Sequence, residues 1–541
     1  MRDVRSIKVG IISVFVDYHR RGQHKRGLLQ PQAAPFIAGC LPLDADIEIV
    51  NDSWEDPDFR KRYDLLFIST LHPDFDRARQ LSHYWRKRGA RTVLGGTMAS
   101  AFPKLCLPYF DAVVVGDAET TVPQVFDDFR HGRLRPVYVS SPYDARNVPV
   151  PRFDLMANAQ AFPLALEASR GCTFACNFCV LTGLGVRYSS RPTRSVVHDI
   201  LAAKRLTRGA TRWWEWHKRK TVVFYDNNLG ADHDWLGQLA DELRPLGVYW
   251  GGPITFDALQ NRDLMRRCAD SGCLSLYTGL ETFNPEALAD MNKSHNVIAE
   301  VRKVVGDCRK LGILIDAGLL LNPVIDTPEY IRRIPALLAE SGLYVPTFVA
   351  FESPIPGTPH FRRLAAKREP ALLPNALLRD FTGYTLVTRP KRATVEEFTE
   401  AYRFLCGEVC SPRARLRKLG HDLPRLLSRG HLPTALTDFF DHWLDVPDYR
   451  PDADRSVVAG TDREPPEQHR IPFEPSDFHS DEERRLICDP WPVTDAEGHV
   501  LPQWLDNDVV FGAGGTVRAK AAAIQASSAP WPATGTYQGA P

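Results

Sequence analysis

Three thiols stand close together in Cys172-Thr-Phe-Ala-Cys176-Asn-Phe-Cys179, just after the apolar run Leu164 to Ala168 and the turn Ser169-Arg170-Gly171. Thiolates so spaced form a ligand set. A loop with three of them can cap three irons of a four-iron cluster and leave the fourth open to a small molecule. Two plainer readings compete. Structural zinc normally takes four Cys or His ligands in paired spacing, and no second pair stands at a matching distance. Three inert, buried cysteines are the other.

Further polar residues fall at the ends of apolar runs. Asp17-Tyr-His19-Arg-Arg-Gly22 follows the first run, Ser69-Thr-Leu71 the third and Gly95-Gly96 the fourth. An imidazole steadied by a carboxylate is a good metal ligand, and glycines allow close backbone approach. A lone loop histidine is equally a polar contact. The basic stretch His19 to Arg26 suits an anion or a solvated surface. Asp226-Asn227-Asn228 and Gly279-Leu-Glu281 end two later runs, where such residues either meet a ligand or cap a helix.

These residues need a scaffold with strand ends on one side. Short apolar runs at Lys8 to Phe15, Ile47 to Val50, Leu65 to Ser69, Thr92 to Leu94 and Ala112 to Val115 alternate with helical stretches. They predict an α/β doubly wound, Rossmann-like sheet with its ligand edge at the strand C-termini. Leu164 to Ala168, Thr221 to Tyr225, Val248 to Trp250, Leu274 to Tyr277, Ile313 to Leu321 and Thr347 to Phe351 predict a second unit of about six βα repeats. That is a partial (β/α)6 barrel of TIM type. Residues 136–163 read as a linker, and 359–444 as mainly helical with strand-like alternation over Phe381 to Val387. The composition after Val446 reads as an irregular tail without function, disordered over 525–541. The expected units are 1–140, a linker at 141–163, 164–360, 361–445 and 446–541.

Length and composition fit this plan. A chain of 541 residues suggests two to four domains, and 44% hydrophobic with 25% charged residues supports sizeable cores. A formal charge of +1 gives no electrostatic footprint for nucleic acid or an anionic membrane. The start lacks a signal-peptide core, and no apolar stretch is long enough to span a bilayer, so a cytoplasmic protein is expected. Eleven cysteines without a regular framework suggest reduced thiols.

The Cys-x-x-x-Cys-x-aromatic-Cys loop past a first strand resembles the cluster loop of the radical S-adenosylmethionine (SAM) superfamily. Asp17, His19, Gly22, Ser69, Leu71, Gly95 and Gly96 together resemble the signature of cobalamin-binding domains, with Gln23 where a lysine is usual. Gly116-Asp-Ala-Glu119 resembles the end of that domain, and Pro354 to Pro359 resembles the Pro-x-Pro-Gly-Thr-Pro segment after the barrel in cobalamin-type members. The chain is therefore identified, by resemblance over residues 1 to 440, as a cobalamin-dependent (class B) radical SAM enzyme. The resemblance implies a [4Fe-4S] cluster on Cys172, Cys176 and Cys179. It implies cobalamin near Asp17, His19, Gly22, Ser69, Leu71, Gly95, Gly96 and Glu119, and SAM near Phe178, Asp226, Asn228 and Glu281.

The activity so implied is methyl transfer to an unactivated carbon, or to phosphorus, of a small molecule. A 5′-deoxyadenosyl radical removes hydrogen and methylcobalamin supplies the methyl group. A low-potential donor such as flavodoxin or ferredoxin is expected, and no protein nucleophile. The alternatives are oxidative cyclisation or rearrangement on the same scaffold, and a non-catalytic cobalamin- or redox-sensing protein. The aromatic stretch Arg212 to His217 suits either a ligand contact or core packing.

Overall fold

The computed structural model describes residues 6–16, 32–155, 164–206, 220–428, 451, 456–461 and 469–505. Two six-stranded parallel sheets dominate it. The first comprises β1 (Lys8–Ser13), β2 (Asp46–Asn51), β3 (Leu65–Thr70), β4 (Arg91–Gly96), β5 (Ala112–Val115) and β6 (Val137–Val139), in the order β2-β1-β3-β4-β5-β6. Its inner strands β1, β3, β4 and β5 are mainly apolar because both faces are covered, whereas the edge strand β2 carries Asp46 and Glu48. Ile12, Val50, Ile68 and Leu94 share a core with the helix Phe75–Arg86. Val9, Ile11, Phe67, Val93 and Val114 share another with the helices Ala33–Gly39 and Ala118–Arg130. Strand order reverses between β1 and β3, which puts a crevice at the C-terminal ends of these strands.

The second sheet begins with β7 (Leu164–Leu166). Next comes a short antiparallel pair, β8 (Ser169–Arg170) and β9 (Ser189–Ser190), that frames the cysteine loop. Then follow β10 (Thr221–Phe224), β11 (Tyr249–Pro253), β12 (Cys273–Glu281), β13 (Leu314–Leu321) and β14 (Phe348–Phe351). The order β14-β13-β12-β11-β10-β7 follows the chain, with every pairing parallel, as in the expected half-barrel of six βα units. Its strand C-termini carry Glu167, Asp226, Ile254, Glu281, Asn322 and Glu352.

Three expectations need correction. The linker read from Pro136 begins later, because Val137–Val139 pairs with β5 as a sixth, edge strand and the Tyr138 hydroxyl donates to Asp128 at 3.0 Å. A strand may start just after a proline, whose missing N–H then faces no partner. The alternation Phe381 to Val387 is not a strand. A turn at Gly383 interrupts it, and only Leu386 makes a bridge, to Val458.

The third concerns the tail, part of which is folded. Residues 469–505 include the helix Asp481–Cys488 and lie along the helix Phe75–Arg86. Arg79 donates to the carbonyls of Leu486 and Asp489, Arg77 donates to that of His469, and Arg88 pairs with Asp477 at 2.9 Å. Trp491 packs its ring on Phe75 and Tyr109 while its carbonyl accepts from Leu378 N–H at 2.8 Å. The segment thus ties the first sheet's helix to the chain that follows the barrel. Its low-complexity composition hid this because its partners are buried arginines on a remote helix. Residues 212–217, 429–444 and 525–541 lie outside the described residues.

Candidate functional site

The cysteine loop is held on two legs. On the first, three consecutive residues after β10 each reach back to it. Asp226 accepts the N–H of Ala168 at 3.0 Å, together with the N–H and hydroxyl of Ser169. Asn227 Oδ1 accepts Gly171 N–H at 2.9 Å, and Asn228 Nδ2 lies 3.7 Å from Cys172 Sγ. Asn228 is itself fixed by Thr255 and Gly230, whose N–H groups each donate to its Oδ1 at 3.2 Å. Gly171 turns the chain at φ +83°, and a Cβ there would collide with the Arg187 carbonyl. Burial pushes the Asp226 carboxyl up to about 7, against the pull of its donors.

On the second leg, Asn177 donates its N–H to Met291 O at 3.0 Å and its side chain to Asp290 O at 2.7 Å, while its carbonyl accepts His360 N–H at 3.0 Å. Asn292 Nδ2 donates to Ala175 O at 2.8 Å. Phe174 stacks on His295 at 3.7 Å. Cys179 caps the short helix Val180–Leu184, so amide N–H groups point toward its sulfur, and Phe174 N–H lies 3.5 Å from Cys172 Sγ. Burial raises the Cys176 thiol to about 11, while Lys293 lowers it. Three unbridged cysteines, two of them (Cys172 and Cys179) with N–H donors at their sulfurs, fit a thiolate-held iron–sulfur cluster.

Beside this loop β12 ends irregularly. Its register with β13 slips between Gly279 and Glu281, and Glu281 adopts φ +65°, rare for a residue with a side chain. Asn296 fastens the kink by donating to the carbonyls of Gly279 (2.8 Å) and Leu280 (3.0 Å). The kink turns Glu281, 5% exposed, into an ion pair with Lys293, 7% exposed. Burial alone lowers the Lys293 ammonium, but the Glu281 carboxylate outweighs it and holds the group charged. Phe178 stands nearby, with its ring centre 5.8 Å from Lys293 Nζ. At the end of β14, Glu352 accepts from Asn322 Nδ2 at 2.6 Å and lies 3.5 Å from His360, and burial pushes its carboxyl up to about 8.

The first sheet's ligand edge is partly described. Asp17, His19 and Gly22 fall outside the described residues. Ser69 and Gly95 are paired across β3 and β4, and the space above Gly95 is open. Gly96, at φ +104°, abuts the Thr70 carbonyl, where no Cβ fits. Leu71 is 58% exposed at this edge. Glu119 pairs with Arg170 at 2.9 Å, as does Asp117 at 2.7 Å. Arg170 immediately precedes Gly171, so this ion-pair group joins the end of β5 to the root of the cysteine loop.

The sequence marked the cysteines and the strand-end residues, Asn227 among them, but gave no role to Asn177, Lys293 or Arg170. The run Asp226-Asn227-Asn228 was a usable signal for Asn227, since three amide or carboxylate residues in a row at a strand end are more than one cap requires. Lys293 carried none, because its pairing depends on the kink at Glu281.

No protein-family profile matches the chain. Bacteriochlorophyllide d C-8(2)-methyltransferase of Chlorobaculum tepidum is 28% identical over 339 residues, covering 60% of this chain and 74% of that one. Among solved structures, the radical SAM methyltransferase TsrM of Kitasatospora setae, with cobalamin and a [4Fe-4S] cluster bound, superposes with a TM-score of 0.55 at 15% identity, covering 80% of this chain and 99% of TsrM. The cobalamin-dependent SAM radical enzyme OxsB with aqua-cobalamin gives 0.57 at 12% identity, over 81% and 75%. The chain is thus similar in sequence to a bacteriochlorophyllide methyltransferase and shares the fold of TsrM and OxsB.

Proposed function

We propose that this protein is a cobalamin-dependent radical SAM methyltransferase acting on an unactivated carbon, or less commonly phosphorus, of a small molecule. One observation carries the reading. The loop of Cys172, Cys176 and Cys179 is rooted at Arg170, which is ion-paired to Asp117 and Glu119 at the ligand edge of the first sheet. The two cofactor-bearing edges are therefore fastened together, as transfer between two bound cofactors requires.

When bound, the cluster and cobalamin supply electron transfer, radical generation and a transferable methyl group. The chain's residues bind and orient. Cys172, Cys176 and Cys179 hold the cluster, with Asn228 and the amides at Cys179 steadying the sulfurs. Glu281 and Lys293 match the ammonium and carboxylate of an amino-acid end, so their ion pair opens to receive the methionyl part of SAM beside Phe178. Asp226 and Asn227 serve this site indirectly, by fixing the loop. Ser69, Gly95 and Gly96 line the cobalamin side, with Asp17, His19 and Gly22 completing it. Electrons come from a low-potential donor such as a flavodoxin or ferredoxin. No helix among the described residues is long and apolar enough to cross a membrane.

The test is anaerobic reconstitution with iron, sulfide and hydroxocobalamin, followed by product analysis with SAM and reductant. Methyl transfer gives both S-adenosylhomocysteine and 5′-deoxyadenosine. Deoxyadenosine without S-adenosylhomocysteine indicates rearrangement instead, and protein that assembles no cluster refutes the proposal.

A further inference from the structure

The ligand edge of the first sheet carries a row of four residues in register. Asn51 pairs with Ser13, Ser13 with Ser69, and Ser69 with Gly95, across β2, β1, β3 and β4. Residues paired in a parallel ladder point to the same face. Two residues earlier, the same face carries Ile49, Ile11, Phe67 and Val93, packed against the helices Ala33–Gly39 and Ala118–Arg130. The face thus changes from apolar to polar at the strand ends, in one row.

Two polar atoms of that row have no partner among the described residues. Ser13 Oγ and Asn51 Nδ2 are shielded from solvent and without a hydrogen bond, on residues only 9% and 5% exposed. The orientation of the Asn51 amide is fixed by its other end, since Oδ1 accepts the N–H (3.2 Å) and hydroxyl (2.9 Å) of Ser53. The free end is therefore the NH2 donor. A buried hydroxyl and a buried amide donor left unsatisfied side by side are costly unless a ligand supplies acceptors. The row ends at Gly95, where nothing lies within 4 Å of a would-be Cβ.

We propose that Ser13 and Asn51 extend the cobalamin slot and hydrogen-bond the nucleotide tail, the part of the cofactor rich in ribose, phosphate and ring-nitrogen acceptors. The inference rests on the cobalamin reading above and adds two binding residues to it. Ser13 supplies a hydroxyl that gives or takes a hydrogen bond, Asn51 supplies a donor, and Ser69 and Gly95 continue the shelf on which the tail lies.

The test compares two corrinoids on the full-length protein purified without either. Hydroxocobalamin has the tail, whereas diaquocobinamide has the same corrin ring and lacks it. Binding is read from the visible absorbance in wild type, Ser13→Ala, Asn51→Asp and the double variant. Asn51→Asp keeps the acceptor for Ser53 and removes the donor. Single variants are expected to weaken hydroxocobalamin about threefold and the pair about tenfold, with diaquocobinamide unchanged.

Ser13→Ala is also expected to leave the thermal midpoint of the corrinoid-free protein unchanged or raised, since it deletes an unsatisfied hydroxyl. Equal weakening toward both corrinoids, no weakening toward either, or a fall in that midpoint overturns the inference. Wild type that binds both corrinoids equally removes the tail contact and leaves the enzyme assignment standing. Wild type that binds neither removes both.

Discussion

The Glu281–Lys293 pair gives the most demanding test of the site. Both residues are buried, and Lys293→Met leaves a carboxylate with no counter-charge inside the barrel rim. Removing one partner of a buried ion pair costs about 3–5 kcal/mol, whereas replacing both by neutral groups of similar size is often close to neutral. The expectation is a double-mutant cycle with strong coupling. Lys293→Met and Glu281→Gln each lower the stability of the metal-free protein markedly. The combination recovers most of the loss, so that coupling amounts to about 2 kcal/mol or more. Thermal or urea unfolding of the four proteins measures this. SAM binding, followed by equilibrium dialysis on reconstituted protein, is lost in all three variants, including the stable double one. Additive destabilisation would mean that the two groups do not pair, and SAM binding retained by the double variant would mean that they do not receive the methionyl end.

Replacing any of Cys172, Cys176 or Cys179 by Ala is expected to abolish the cluster's visible absorbance after reconstitution while leaving hydroxocobalamin binding intact. Gly171→Ala, which forces a Cβ into the Arg187 carbonyl at φ +83°, is expected to lose cluster assembly to a similar extent although it touches no ligand; iron content and absorbance check it. Glu352 gives a pH effect. Its carboxyl is raised by burial from 4.5 to about 8, so the folded protein keeps a proton that the unfolded chain releases. Its contribution to stability is full below pH 4.5 and is lost as pH rises toward 8, with a slope of up to about 1.4 kcal/mol per pH unit. Glu352→Gln is expected to flatten that window in unfolding measured against pH. Arg79→Met removes donors to the Leu486 and Asp489 carbonyls and is expected to release the 469–505 segment, read out as faster proteolysis there.

Local chemistry was legible wherever one stretch of chain carries it. The three thiols lie within eight residues, and the strand ends at Asp226 and Glu281 follow apolar runs that form strands because their neighbours bury them on both faces. Those runs also set the two parallel sheets; in the second the order follows the chain because each βα unit packs beside the last, whereas in the first β3 pairs with β1 and not with β2. Hidden from the sequence was everything that depends on which remote groups meet. Asp226 and Asn227 were legible as strand-end polar residues, but that they grip the loop rather than stand open follows from the closeness of β10 to β7. The left-handed turn at Glu281, and with it the Lys293 pair, is stabilised by Asn296 from the following loop.

The folded segment 469–505 is the clearest case. Its proline- and aspartate-rich composition predicts little structure, yet buried Arg77 and Arg79, more than 390 residues away, donate to its carbonyls. The row of Asn51, Ser13, Ser69 and Gly95 likewise exists only in the sheet, because register across four strands aligns residues spread over 83 positions of the chain. Sequence by itself determined the ligand types and the elements that carry them. The tertiary structure decided their pairings, because desolvation and hydrogen-bond satisfaction act on groups that are neighbours only after folding.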